Sequence, residues 1–365
     1  MYSKSRVYIL GVGNIGKFFA YALRKQHPGL PISLLFHRPS LIGDWDASGR
    51  TIECVTDAVS DKRTGFDVEI VSSTDPIDNL IVATKTTVTA CALGSVKHRL
   101  RKSSNILFLQ NGIGTTDEVS ALVFRDANSR PSYWVGVCSC SIYRVSPFSI
   151  VHAGRGAIEL GPVSSASHAP TCGIPTSSAR PDFITQLLEV PDIEAVLIGL
   201  DQTKAAQLRK LTVNAVLNPL TAIFRCSRGE LLDHPQRFSF MEALFQEVAD
   251  IVRALTSGVP QSSEDQLFEK QNLWSLVLRV AESSRESTSS MLHDIEAGQK
   301  TEIDYINGYI ASQAQQRGLT CFRNNVVVTM VKRRQCITDN EIETVLKTHD
   351  PISASTLFKI EVQSA

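Results

Sequence analysis

Val7 to Gly16 reads VYILGVGNIG. Val7 to Leu10 is a short, wholly apolar run of strand type, and it passes directly into three glycines spaced GxGxxG. Beyond them Ile15, Phe18, Phe19, Ala22 and Leu23 recur at helical spacing, so the glycines occupy a strand-to-helix turn. In such a turn Gly11 permits the tight bend, Gly13 the close approach of a pyrophosphate, and Gly16 the packing of helix on strand. The helix N-terminus, with its unpaired N–H groups and positive dipole end, favours an anion there. A lone GxGxxG is weak, but the flanking strand and amphipathic helix favour a dinucleotide site over a merely tight turn.

The next apolar run, Ile32 to Phe36, ends in His37-Arg38. An NAD-preferring fold usually carries an acid near this point to bond the ribose 2′-hydroxyl. Here no acid appears before Asp44, and the Arg38 guanidinium can pair a 2′-phosphate with charge-assisted bonds. The residue also fits a solvent-facing arginine; the expected cofactor is NADP(H).

Far along the chain, residues 210–222 read KLTVNAVLNPLTA. Side chains four apart share a helix face, so Lys210, Asn214 and Asn218 form a polar ladder while Val213, Val216, Leu217 and Leu220 fill other faces. Pro219 removes a backbone donor and should kink the helix, freeing the carbonyl of Ala215. Taken alone, the ladder also fits a solvated face with a snorkelling lysine.

At 365 residues the chain exceeds the roughly 250–300 at which a single core stops growing, so two domains are expected. Lys plus Arg equals Asp plus Glu at 37 each, which gives no global field for nucleic acid or an anionic membrane. No apolar run reaches the roughly 18 residues of a membrane span. The first strand begins so near Met1 that no signal or transit peptide is expected upstream of the fold; the expected location is cytoplasmic, with an organelle left open. The eight cysteines show no metal spacing and read as buried thiols; Cys138 and Cys140 read as packing, and no metal is expected.

The first half alternates β-branched runs (Ile81–Ala83, Asn105–Leu109, Ser132–Val137) with helical patterns, predicting a mostly parallel sheet. Phe148–His152 and Ala157–Leu160 look like a hairpin about Gly154 and Gly156, and Ile193–Ile198 like a last strand. From Thr203 helical periodicity dominates, punctuated by Gly229, Gly258, Gly298 and Gly318. The expected fold is therefore α/β plus all-α. A Rossmann-type domain covers residues 1–199, with an exposed Ser/Pro-rich loop at 162–181. A helical domain covers 200–345, and the structure of the 346–365 tail is left open.

Lys85 and Asn111 follow the first and second of those strand regions, at carboxyl ends that face the ligand crevice of an open α/β sheet. Each equally suits an ordinary loop. Ser289-Ser290-Met291-Leu292 reads as the end of one helix and Thr301 as the N-cap of another. There Glu302, in the first turn, suits the dipole.

These segments resemble the ketopantoate reductases (2-dehydropantoate 2-reductases). The likeness runs from GVGNIG through Lys85, Gln110-Asn111-Gly112, KLTVNAVLNPLTA and SSMLHDIEAG to TEIDYINGYI, in the family's order. It implies a Rossmann domain joined to a helical one, with NADPH and a 2-oxo acid in the cleft between them. Lys210 is then the general acid, Asn214 and Asn218 hold the substrate, and Ser290 contacts its carboxylate region. Gly11, Val12, Gly13, Asn14, Ile15, Gly16, Arg38, Lys85 and Asn111 serve the cofactor, with Asn111 also near the substrate and Glu302 close to cofactor and reacting centre. The implied reaction reduces ketopantoate to (R)-pantoate for pantothenate and coenzyme A biosynthesis, by a monomer or homodimer. Three positions depart from the family pattern: Ser287 and Arg228 stand where asparagines are common, and Phe322 replaces a proline. They surround the substrate, so a reductase of another branched 2-oxo acid, or a catalytically silent nucleotide-binding relative, is the alternative.

Overall fold

A computed structural model describes residues 5–71, 73–163, 173–176, 180–256 and 265–347. Most of the Ser/Pro-rich loop, Gly258 and nearly all of the 346–365 tail lie outside those residues. The chain divides into two compact units, Met1–Gln110 with Gly114–Ala206, and Asn111–Ile113 with Gln207–Ala365.

The first unit is built on an eight-stranded sheet. Its strands are β1 (Val7–Leu10), β2 (Ile32–Phe36), β5 (Asp67–Ile70), β6 (Asn79–Val82), β7 (Asn105–Phe108), β8 (Ser132–Cys138), β11 (Ile158–Pro162) and β12 (Ala195–Leu197), in the order β12-β11-β8-β7-β6-β1-β2-β5. Every pair is parallel except β11 with β8. Alternate residues go to opposite cores: Val7, Ile9, Ile32, Leu34, Ile81 and Leu107 to one, Tyr8, Leu10, Leu35, Leu80, Val82 and Ile106 to the other. Both faces are covered, which is why these strands read as continuous apolar runs. Helices α1 (Asn14–Gln26), α2 (Ser40–Ala47), α3 (Thr86–Val96), α4 (Thr115–Leu122) and α5 (Asp182–Leu188) complete the unit.

A second, four-stranded sheet joins β3 (Ile52–Thr56), β4 (Val59–Arg63), β9 (Ser141–Ser146) and β10 (Ser149–Gly154) in the order β4-β3-β10-β9. The expected hairpin about Gly154 and Gly156 is therefore corrected. β10 pairs antiparallel with β9 in this sheet, whereas β11 pairs with β8 and β12 in the large one. The two glycines mark the crossing; a Cβ on Gly156 would lie 2.8 Å from the Ser139 backbone. The last strand is also shorter than expected, because Pro191–Ile193 is a 3₁₀ turn and only Ala195–Leu197 pairs.

The second unit is all helical: most of α6 (Leu200–Phe224), then α7 (Arg228–Asp233), α8 (Pro235–Thr256), α9 (Lys270–Ser283), α10 (Ser290–Glu296), α11 (Asn307–Arg317), α12 (Phe322–Lys332) and α13 (Ile342–Lys347). α8 buries Phe240, Met241, Leu244, Phe245, Val248, Ala249, Ile251 and Val252, a stripe at helical spacing. Gly318 closes α11 with φ 65°, a left-handed cap, but Gly229 sits inside α7 and interrupts nothing. Cys54, Cys138, Cys226 and Cys321 are buried, and burial pushes the thiols of Cys226 and Cys321 up to about 11 and about 12. Cys91 and Cys336 are exposed, contrary to expectation. Among the described residues no helix is long and apolar enough to cross a membrane, and no cluster could hold a metal ion.

The second sheet explains a polar residue enclosed on α1. Lys17 is 1% exposed and donates to the Pro147 carbonyl at 3.0 Å, between β9 and β10. Desolvation, with Arg144 nearby, lowers its pKa from 10.5 to about 8. Between those values the unfolded chain binds more protons here than the folded one, so this site's cost to stability falls as pH rises. Lys17→Met should therefore gain most over the parent near pH 7.5 in urea titrations, the gap shrinking by about 2 kcal/mol by pH 10. A pH-independent gap would contradict the desolvated ammonium.

Candidate active site

The glycine turn lies where β1 meets α1, beside the carboxyl end of β6. Gly11 takes φ 97°, and a Cβ there would come within 2.5 Å of Thr84 N. A Cβ on Gly16 would lie 2.1 Å from the Gly11 carbonyl oxygen, so this glycine lets the first turn of α1 close on the loop. At Gly13, the N-cap of α1, the nearest atom to a Cβ is Ala83 O at 3.9 Å. Space therefore remains over Gly13, at a helix start with no acid in its first turn. Such a place suits a phosphate group.

Arg38 is exposed just beyond β2, and its side chain makes no hydrogen bond or ion pair among the described residues. Lys85 is the N-cap residue of α3, one short step beyond β6, and its carbonyl accepts from Thr89 Oγ1 at 3.1 Å. Val12, Asn14 and Ile15 complete the turn; Asn14 Nδ2 reaches the Ile142 carbonyl at 3.5 Å.

In the helical unit Lys210, Asn214 and Asn218 all stand on α6, which runs unbroken through Pro219. Lys210 and Asn214 are half-buried, Asn218 is 5% exposed, and none of the three side chains has a protein partner among the described residues. The structure brings Ser290 to this row. Ser289 caps α10 through Leu292 N at 3.1 Å and lies 3.2 Å from the Asn218 carbonyl oxygen, with Thr221 Oγ1 2.7 Å from its hydroxyl. Ser290 follows as the exposed first residue of α10. The reading of Ser289–Leu292 as a helix end is thus reversed: a serine followed by an apolar run is equally a start.

The expected helix start at Thr301 is also corrected. Ile303–Tyr305 is a 3₁₀ turn with Glu302 before it, and α11 begins at Asn307. Glu302 is consequently no dipole ornament. Its carboxylate is 5% exposed and accepts from Asn111 Nδ2 at 3.1 Å. Ile113 N donates to Tyr305 O at 3.0 Å, and a Cβ on Gly112 would lie 2.3 Å from that oxygen, so the Asn111–Ile113 segment can seat here only with glycine in its middle.

Of the departing positions, two touch: Arg228 N donates to Ser287 O at 3.0 Å. The Arg228 guanidinium bonds Ser284 Oγ, and its Nε is buried without a partner among the described residues. Burial lowers its pKa from the ordinary guanidinium value. Phe322 opens α12, whose next two amides, Arg323 N and Asn324 N, go to Glu247 at 2.9 and 3.1 Å. Sequence reasoning missed Ser289, Thr221, Glu247, Asn307 and Asn324; only the carbonyl freed by Pro219 signalled that a donor was needed.

Residues 7–165 match the family model described as Ketopantoate reductase PanE/ApbA, and residues 202–335 that described as Ketopantoate reductase PanE/ApbA C terminal. The chain belongs to the ketopantoate reductase family, a family of dinucleotide-dependent oxidoreductases acting on small 2-oxo acids. It is 26% identical to the ketoisovalerate reductase of Beauveria bassiana, over 86% of this chain and 79% of that one. Its identity to the probable 2-dehydropantoate 2-reductase of Schizosaccharomyces pombe is 27%, over 90% and 96%. The solved structure of the probable 2-dehydropantoate 2-reductase panE from Bacillus subtilis superposes with a TM-score of 0.66 at 26% identity, covering 90% of this chain and all of that one. The expected family and the expected fold class, a parallel-sheet α/β domain followed by a helical one, are borne out.

The glycine geometry separates two substitutions. Gly16→Ala should cost about 2–3 kcal/mol, because backbone must move to admit the methyl group. Gly13→Ala should cost under about 1 kcal/mol in the same thermal unfolding experiment, since among the described residues nothing lies closer to that Cβ than Ala83 O at 3.9 Å. Equal costs would show that the turn is not closed as described.

Proposed function

We propose that the protein reduces ketopantoate to (R)-pantoate with NADPH, supplying coenzyme A biosynthesis in the cytoplasm. The observation that carries this reading is the row of uncommitted polar heads on α6, one ammonium and two carboxamides, on a helix that from Leu211 to Phe224 is buried at every position but Asn214. Desolvated polar groups without partners are costly, so their retention calls for a ligand that satisfies them.

When bound, the dinucleotide supplies the hydride that reaches C2 of the oxo acid. The turn from Gly11 to Gly16 holds its pyrophosphate, with Val12, Asn14 and Ile15 lending backbone and Gly13 leaving the space. Arg38 pairs the 2′-phosphate, and Lys85 lies at the neighbouring strand end. Charge that develops on the substrate carbonyl oxygen is met by the Lys210 ammonium, which stabilises it and delivers the proton. Asn214 and Asn218 orient the oxo acid without adding a fixed charge, and Ser290 faces its carboxylate. Glu302 holds the carboxamide of Asn111, the residue assigned to cofactor and substrate.

A second reading has its own support. One of the relatives reported above is named a ketoisovalerate reductase, and Arg228 and Ser287 depart from the family pattern together. On that reading the same chemistry serves a different branched 2-oxo acid. NADPH oxidation across a panel of 2-oxo acids decides. The first reading expects the highest kcat/KM for ketopantoate; a tenfold preference for another acid, about 1.4 kcal/mol of discrimination, gives the second.

Lys210→Ala should lower kcat by about two to four decades with dinucleotide affinity nearly unchanged. Turnover within about threefold of the parent would remove the assigned role. Arg38→Ala should weaken NADPH by about one to two decades more than NADH, as expected for losing a charge-assisted pair. An equal loss of both would show that Arg38 does not discriminate between them.

A further inference from the structure

Asn214 and Asn218 flank a defect in their own helix. In an α-helix the carbonyl of residue 215 accepts from the amide of residue 219, but Pro219 has no N–H. The donor comes from another helix: Asn307 Nδ2, at the first position of α11, reaches the Ala215 carbonyl oxygen at 2.8 Å. Asn307 is 0% exposed, so water cannot readily take over the bond.

Its orientation is fixed by a directional chain. Asn307 Nδ2 also donates to Asn324 Oδ1 at 3.0 Å, and Asn324 Nδ2 donates to Glu247 Oε2 at 3.2 Å. Glu247, on α8, further receives Arg323 N, Arg323 Nη1 and Asn324 N, the groups that begin α12. A carboxylate only accepts, so Asn324 must turn its amide to Glu247 and its oxygen to Asn307. Asn307 must then turn its amide to Ala215, because a flip would set oxygen against oxygen at both contacts.

We propose that Asn307 is the positioning residue of the carboxamide ladder. By holding the Ala215 carbonyl that Pro219 leaves without a donor, it fixes the backbone between Asn214 and Asn218 and so the spacing at which the two carboxamides meet the substrate. Without it the turn is free to slip toward tighter or wider hydrogen bonding, which rotates one rung relative to the other. The inference rests on the reading of Asn214 and Asn218 as the substrate grip.

The test exploits the proline. Asn307→Leu in the full-length protein should raise KM for the preferred 2-oxo acid at least tenfold, with the dissociation constant of NADPH within about twofold of the parent. Adding Pro219→Ala restores an N–H that can bond Ala215 within the helix, so the double variant should recover at least fivefold of that loss. Asn307→Ser, alone and with Pro219→Ala, makes the same comparison if the leucine variant does not fold. A double variant no better than the single one would overturn the proposal. If Asn214→Ala and Asn218→Ala leave KM unchanged, the grip reading itself has failed, whereas rung effects without coupling between 219 and 307 refute the positioning role alone. Coupling seen in melting temperature but absent from KM would also overturn that role.

Discussion

Pro219 withholds one N–H from the interior of a buried helix, and much of the helical unit is arranged around the carbonyl left behind. A buried carbonyl without a partner costs about 1–3 kcal/mol, a sizeable share of the stability of a domain. Satisfying it places the first residue of α11 against α6, and orienting that residue's amide recruits Asn324 on α12 and Glu247 on α8. Glu247 at the same time caps α12. Four helices are therefore tied through polar groups at one place. Hydrogen bonds add what hydrophobic burial lacks, a single admissible register.

A similar division of labour operates on the other side of the ladder. Ser289 caps its own helix and contacts the Asn218 carbonyl, so the segment that carries Ser290 is seated by the same serine that starts α10. The rungs themselves stay uncommitted because neighbouring backbone and hydroxyl groups, not the rungs, carry the structural bonds.

How much of this was legible follows from what each signal depends on. β1, the glycine turn and α1 could be read because the information is local: an apolar run, three glycines and a helical period within about twenty residues. The ladder was legible for the same reason. The small sheet was not, because its β3–β4 turn is made by Asp57 and Ala58, both at positive φ (51° and 62°), where asparagine or glycine would have announced it. Burial of Lys17 and Tyr21 on α1 was hidden too, since both look like solvent-face residues until that sheet covers them. The starts of α10 and α11 were misplaced because a lone serine or threonine reads as the end of one element or the beginning of the next. The Asn307–Asn324–Glu247 chain spans sequence separations that no periodicity records.

The small sheet has a further consequence, for how the molecule behaves among copies of itself. Its two margins are β4 and β9, and a strand at a margin offers unpaired backbone to any extended segment nearby. β4 carries Asp61, Lys62 and Arg63 within its five residues, and an incoming strand would have to bury or displace those charges. β9 has one arginine and presents Tyr143 and Val145 about half exposed or more, at 48% and 62%. Association under partial unfolding thus has a preferred side. Of the small sheet's two margins, the one beside Arg144 is the less defended against growing the sheet with a neighbour's strand.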